Sequence, residues 1–274
     1  MPELPEVETI RRGLSEAILG KAIEGAVVRR TDLRRPVPAS FSKQVSGKAV
    51  TSIDRRGKYL LLNLSDESVV LIHLGMSGRL VIGRHEAPSG HDHIVLTFSN
   101  GMTVKFNDPR RFGSIDITTR RNLWNHESIR GLGVEPLTRE FNEALLAERL
   151  FGRQAPIKNL LLDQRIVAGL GNIYVCESLF LAGISPRRTG ANIRGVRVER
   201  LVRSIRQVLT EAIKAGGSSL RDYVQVSGEL GYFQHSFNVY NREGKPCING
   251  PPTHFISRLV QANRSTFFCA SCQR

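Results

Sequence analysis

Two stretches of the sequence hold residues whose types and spacing could do chemistry. The first is the start, MPELPEVETI. If Met1 is removed, as a small residue at position 2 permits, Pro2 presents a free secondary amine with Glu3 and Glu6 close by. A free α-amine titrates near 7.7 to 8.0, so an appreciable neutral, nucleophilic fraction exists close to neutral pH, and a nearby carboxyl group can carry protons. The same residues also suit a plain helix start, with Pro5 in the first turn and acids at the positive end of the helix. The second stretch is the tail. Cys269 and Cys272 form a CxxC, with Cys247 and His254 upstream. That pattern suits a metal knuckle in a reducing compartment better than a disulfide framework, whereas Cys176, alone in an apolar stretch, reads as a packed core thiol.

Positioning these groups requires a scaffold, and its elements follow from periodicity. Val7, Ile10, Leu14 and Ile18 recur at spacings of three and four up to Gly20, which predicts one opening helix. KYLLLNL, SVVLIHL and HIVLTF are short and rich in β-formers, and Asn100-Gly101 between two apolar runs signals a type I′ hairpin. The first half is therefore read as a helix followed by a β-sandwich or barrel. From about Pro136 the period changes: TREFNEALLAERL, IKNLLLDQRIVAGLGN and VCESLFLAG read as helices. VRVERLVRSIRQVLTEAIKAGG keeps an apolar stripe through Val198, Leu201, Val202, Ile205, Val208, Leu209 and Ala212, while its arginines drift around the helix as a solvated face. A short Cys-bearing segment ends the chain.

The 274 residues carry 39 Lys+Arg against 25 Asp+Glu, a net charge of +14. A field of that sign favours polyanionic partners, nucleic acid first and an anionic membrane surface second. No run of about 18 apolar residues occurs and the N-terminus is acidic, so neither a transmembrane span nor a signal peptide is expected, and a cytoplasmic, nucleoid-associated location is.

The motifs MPELPEVETIRRGL, RRGKYLLL, HLGMSG, GHDHIVL, NDPRRFG, GLGNIY, GGSSLRDY, GYFQ and RSTFFCASCQ stand in an order that resembles the bacterial formamidopyrimidine-DNA glycosylase family from end to end. Leu4 is more similar to this branch than to the related endonuclease VIII, which usually has Gly there. The resemblance implies an α+β multidomain fold: an N-terminal catalytic helix and β-sandwich over 1–132, a helix-two-turn-helix DNA-binding domain with a lesion-recognition loop over 133–233, and a zinc-finger-like β-hairpin over 234–274. It implies a monomeric glycosylase and abasic-site lyase acting on double-stranded DNA that contains oxidised purines or abasic sites. In that scheme Pro2 attacks C1′ of the damaged nucleoside, Glu3 is the general acid, Glu6 orders the site, and Lys58 meets a phosphate and assists proton transfer. Each has a plainer reading, the acids as helix N-terminal charges and Lys58 as a solvated strand-end lysine.

The resemblance further assigns Met76, Arg110 and Phe112 to the space left by an everted nucleotide, the Arg facing the orphaned cytosine, a geometry that such chemistry requires inside a duplex. Taken alone, Met76 and Phe112 would read as core residues. Phosphate contacts fall to Lys58, His91, Asn172 and Arg264, with Lys158 a further candidate. Ser218, Ser219, Leu220, Arg221 and Tyr223, in the segment similar to a mobile loop, are assigned to the base pocket; an ordinary solvent loop is the alternative. The tail departs from the family pattern, because Gly250 stands where a second thiolate is expected. His254 could complete a zinc site with Cys247, Cys269 and Cys272, although six residues separate it from Cys247; a hairpin that folds without metal is the alternative. An endonuclease VIII-like specificity for oxidised pyrimidines and a non-catalytic DNA-binding relative are the competing functions. Pro2, Glu3 and Lys58 together argue against the latter.

Overall fold

In a computed structural model, residues 2–84, 87–218 and 232–274 are described. The chain divides into two compact units, Met1–Arg130 with Ala215–Tyr232, and Gly131–Lys214 with Phe233–Arg274.

The first unit opens with helix α1 (Leu4–Ile18). Strand β1 (Ile23–Val28), a short helix α2 (Phe41–Val45) and strands β2 (Val50–Arg56), β3 (Tyr59–Leu64), β4 (Ser68–His73), β5 (Arg79–Arg84), β6 (Asp92–Phe98), β7 (Met102–Asn107) and β8 (Ser114–Thr119) follow. They form two antiparallel four-stranded sheets, ordered β1-β6-β7-β5 and β2-β3-β4-β8. The apolar stripe read from the sequence is what fixes α1: Val7, Ile10, Leu14 and Ile18 are buried in one cluster with Ile53, Leu60, Leu62, Ile72, Leu80, Ile94 and Phe106 from the strands. Each such side chain contributes about 1.5–3 kcal/mol on burial. The helix is thereby clamped on the sandwich, and residues 2 and 3 at its head are clamped with it.

The β6–β7 hairpin differs from its expected form. A type I′ turn needs left-handed backbone at both central residues. Here only Gly101 takes it, at φ 75°, and its N–H closes on the Phe98 carbonyl at 2.9 Å. Asn100 instead uses its side chain, donating to Ala17 O at 3.0 Å and accepting from Met102 N–H at 3.2 Å. That tie to α1 replaces the two-residue turn with a longer loop.

At the end of β4, His73 pairs with Tyr59 across the ladder, and the two rings lie 4.7 Å apart. His73 Nδ1 accepts the Gly75 N–H at 3.1 Å. Burial, reinforced by the positive charges of Lys58, Arg34 and Arg35, pushes this imidazole down to about 4.

The second unit contains α3 (Glu143–Leu150), α4 (Ile157–Leu162), α5 (Asn172–Leu181), α6 (Val196–Lys214) and a hairpin of β9 (Ile256–Gln261) and β10 (Arg264–Cys269). All seven stripe residues of α6 are buried. Two expected helices are shorter than their patterns. Asn142 caps α3 by accepting the Leu145 N–H at 2.9 Å, so the preceding TREF lies outside it; Arg206 of α6 instead donates to the Thr138 and Phe141 carbonyls at 2.8 and 2.6 Å. After α4 the chain turns rather than continues. The Gln164 side chain donates to Leu162 O and Leu170 O and accepts the Gly169 N–H, which supplies locally the bonds a helix would have made. Gly169, at φ 90°, permits the turn.

Helix α5 is buried along almost its whole length. Its Glu177, 1% exposed, accepts from the backbone N–H groups of Asn238, Val239 and Tyr240 and from the Asn238 side chain, at 2.8 to 3.0 Å. A line of rings from Tyr174 through Phe233, Phe237 and Tyr240 to Phe267 joins α5 to β10 at centroid spacings of 5.1 to 5.8 Å. Among the described residues no helix is long and apolar enough to cross a membrane.

Two stability outcomes follow. Because the folded His73 takes up a proton only near pH 4 while the unfolded one does so near the ordinary imidazole value of 6.5, the unfolded state binds more protons between these limits, and stability falls as pH drops through that window. The loss amounts to at most about 3 kcal/mol, and urea midpoints measured from pH 7 to 4 should decline less steeply in His73→Gln than in the parent. Glu177→Ala removes the acceptor of three backbone amides, that of Val239 buried and those of Asn238 and Tyr240 half-buried, and chemical denaturation should show a loss of about 3 kcal/mol.

Candidate active site and metal-binding cluster

At the head of α1, Glu3 and Glu6 are 2% and 1% exposed. Glu6 Oε2 accepts the Glu3 N–H at 2.8 Å, and Glu6 Oε1 accepts the N–H and hydroxyl of Ser218 at 2.8 and 3.1 Å. Gly217 approaches so closely that a Cβ there would lie 3.0 Å from the same oxygen. Glu6 is thus a brace between the N-terminal backbone and the strand-like residue 218, and it leaves the Pro2–Glu3 pair fixed. Ser218, one of the expected base-pocket residues, is spent on this brace; Ser219, Leu220, Arg221 and Tyr223 lie outside the described residues. Lys58, 8% exposed, sits in the β2–β3 turn, where Gly57 is left-handed at φ 56° and accepts from Arg55 Nη1 at 2.9 Å.

Three loops of the first unit carry the other expected residues. Met76 projects from the turn after β4 and Phe112 from the turn before β8, 38% and 44% exposed, so neither is a core residue. The Arg110 guanidinium stacks over the Phe112 ring at 4.9 Å, and His91 is exposed at the start of β6. Beneath them lies Asp108, wholly buried, whose carboxylate accepts from the Ser77 hydroxyl at 2.6 Å and the Gly113 N–H at 2.7 Å. Nothing in the spacing of NDPRRFG singled out that aspartate.

In the second unit, Asn172 begins α5 and donates through Nδ2 to the Ser265 carbonyl at 2.9 Å, and its own buried Oδ1 has no hydrogen-bond partner among the described residues. Lys158 is completely buried and reaches the same carbonyl at 3.4 Å. Burial pushes its ammonium below the ordinary lysine range, and Arg264 adds to that while Cys176 opposes it. Lys158, a further candidate for a phosphate contact, is thus buried and supports β10 from below. Arg264, the residue next to that carbonyl, is exposed. Glu177 and Gln164, which hold the scaffold around it, were missed by the sequence reading because a buried carboxylate and a loop amide carry no periodic signal.

The thiols of Cys247, Cys269 and Cys272 lie within 4.8 Å of one another and could hold a metal ion. Cys247 and Cys272 are 3.7 Å apart, and His254 Nδ1 is 3.5 Å from Cys272 Sγ. Tetrahedral zinc with ordinary bond lengths separates two sulfurs by about 3.8 Å, so the three thiols suit such an ion, while the imidazole stands beside Cys272. A side chain at Gly250 would lie 2.2 Å from His254 Nδ1. The imidazole occupies the place that a residue at 250 would need, and the Cys247 N–H bond to His254 O at 2.7 Å closes the long intervening loop.

These features can be set against known proteins. The family model for the formamidopyrimidine-DNA glycosylase N-terminal domain matches residues 1–115, and that for the family's H2TH domain matches residues 132–224. Formamidopyrimidine-DNA glycosylases of Roseobacter denitrificans and Ruegeria pomeroyi are 52% and 51% identical over 283 aligned residues, covering both chains entirely. The crystal structure of the MutM (Fpg) protein from Thermus thermophilus shares 40% identity at a TM-score of 0.88, covering 99% of this chain and 98% of that one. That of Lactococcus lactis Fpg with DNA containing an abasic site shares 35% at 0.91, covering 99% of each. With both halves matched by the family's models and full-length relatives at half identity, the chain belongs to the formamidopyrimidine-DNA glycosylase family.

Proposed function

We propose that this protein is a bifunctional DNA glycosylase and abasic-site lyase that excises 8-oxoguanine and formamidopyrimidines from double-stranded DNA, with Pro2 as nucleophile. The carrying observation is the immobilised N-terminus: residue 2 at the head of a clamped helix, next to a buried Glu3 whose N–H is held by the Glu6–Ser218 brace. The Lactococcus lactis relative bound to abasic-site DNA, and another of its complexes with Fapy-dG DNA, support the substrate class.

With Met1 removed, the Pro2 nitrogen attacks C1′ as the C1′–N9 bond breaks and the base leaves with a proton. Glu3 protonates O4′, the ring opens, and the amine gives up its proton to become an iminium on C1′. The iminium acidifies C2′–H; loss of that proton expels the 3′ phosphate, and a second proton loss from C4′ expels the 5′ phosphate. Lys58 carries protons and neutralises a phosphate in these steps, and His91, Asn172 and Arg264 hold the strand. Met76, Arg110 and Phe112 fill the gap left by the everted nucleotide, offsetting a cost of a few kcal/mol. The functional parts are 1–132 for chemistry, 133–233 for backbone grip and 234–274 for the hairpin that carries Arg264.

Zinc held by Cys247, His254, Cys269 and Cys272 is the structural component of that hairpin. When bound it supplies cross-linking of the tail and takes no part at the sugar; the chain's own β9 and β10 present Arg264.

Borohydride should trap the purified protein on an oligonucleotide bearing 8-oxoguanine opposite cytosine, and the adduct should fall at least about tenfold in Pro2→Gly. Binding without any adduct in the parent protein would overturn the assignment. Elemental analysis should find one zinc per chain, with retention against a chelator reduced at least about tenfold in His254→Ala; equal retention would leave the imidazole outside the ligand set.

A further inference from the structure

We propose that Asp108 is a positioning residue that joins the loops of His91, Met76 and Arg110–Phe112 into one rigid body, so that the gap-filling side chains enter the duplex together. This rests on the reading that those side chains face DNA.

Asp108 bonds in three directions. Its backbone N–H donates to His91 O at 3.0 Å. Its carbonyl accepts from Arg111 N–H at 3.2 Å and lies 2.8 Å from His93 Nε2, which makes that nitrogen the protonated one. Its carboxylate holds Ser77 and Gly113, and Ser77 Oγ in turn accepts the Arg110 N–H at 3.2 Å. The loops also touch backbone to backbone: a Cβ on Gly75 would stand 2.3 Å from the Phe112 carbonyl carbon, and one on Gly113 would stand 2.8 Å from His73 O. No side chain can slip between them. Met76 and Phe112 are exposed above this weld, while Asp108 and Ser77 are buried beneath it at 0% and 6% exposure.

A buried carboxylate bonded at both oxygens tolerates little movement of its donors, because any donor that leaves strands charge in a dry setting. Separate flexible loops would have to be ordered anew at each encounter with DNA. Ordering them in advance removes that cost from the eversion step and leaves the chemistry at C1′ untouched.

The test separates eversion from chemistry. An abasic site in a single strand needs no eversion, whereas 8-oxoguanine paired in a duplex does. Asp108→Asn keeps side-chain volume and an acceptor for Gly113 but loses the charge that receives Ser77. It should slow single-turnover excision from the duplex by about tenfold to a hundredfold. It should also reduce the fluorescence rise of a 2-aminopurine placed beside the lesion. Borohydride trapping on the single-stranded abasic oligonucleotide should stay within about twofold of the parent. Ser77→Ala, which cuts the same weld from the other side, should shift the two substrates apart in the same sense and decides the matter if Asp108→Asn does not fold. Parallel losses on both substrates, or no loss on the duplex, would overturn the proposal. An absent adduct in the parent protein would instead remove the enzymatic reading on which it rests.

Discussion

Three buried carboxylates, each satisfied by backbone N–H or hydroxyl donors from distant parts of its own unit, hold the working parts of this protein in place. Glu6 receives the Glu3 N–H and both donors of Ser218; Asp108 receives Ser77 and Gly113; Glu177 receives a run of amides from 238 to 240. Removing a carboxylate from water is costly, and only several well-aimed donors offset it. That requirement makes each site specific for one backbone arrangement. Aliphatic packing can be satisfied in many nearly equivalent ways, whereas a carboxylate with two or three donors at 2.6 to 3.1 Å admits one.

Most of the architecture was legible in the sequence, because it rests on periodic burial. The stripes of α1 and α6 and the apolar runs of β3, β4 and β6 decide where the elements lie, and each is found where its pattern puts it. What the pattern could not show is how local side-chain bonds compete with it. Asn142, Gln164 and Asn100 divert the backbone through their own amides and so shorten two helices and lengthen one hairpin. In the candidate site, the catalytic-type residues were recognisable through the motifs that contain them. Their supports were not, since Asp108 and Glu177 look in sequence like any surface acid, and a lysine as deeply buried as Lys158 looks like any surface cation.

The tail illustrates substitution by position instead of by motif. Gly250 and His254 are separated in the chain yet share one spot in space, so a side chain at 250 and the imidazole exclude each other. A reading by spacing sees a defective knuckle, whereas a reading by distance sees three thiols gathered within 4.8 Å of one another and an imidazole beside one of them.

The hairpin that ends the chain turns through Ala262 and Asn263, both left-handed, at φ 47° and 58°, and pairs Gln261 directly with Arg264. Alanine rarely adopts this backbone, so the strain is borne by the six residue pairings of the hairpin and by a very short loop with no slack. Since strand side chains alternate in direction, lengthening that loop by one residue would turn the arginine to the opposite side of the ribbon. The side of the ribbon on which the Arg264 guanidinium stands is therefore set by the handedness of the two residues before it.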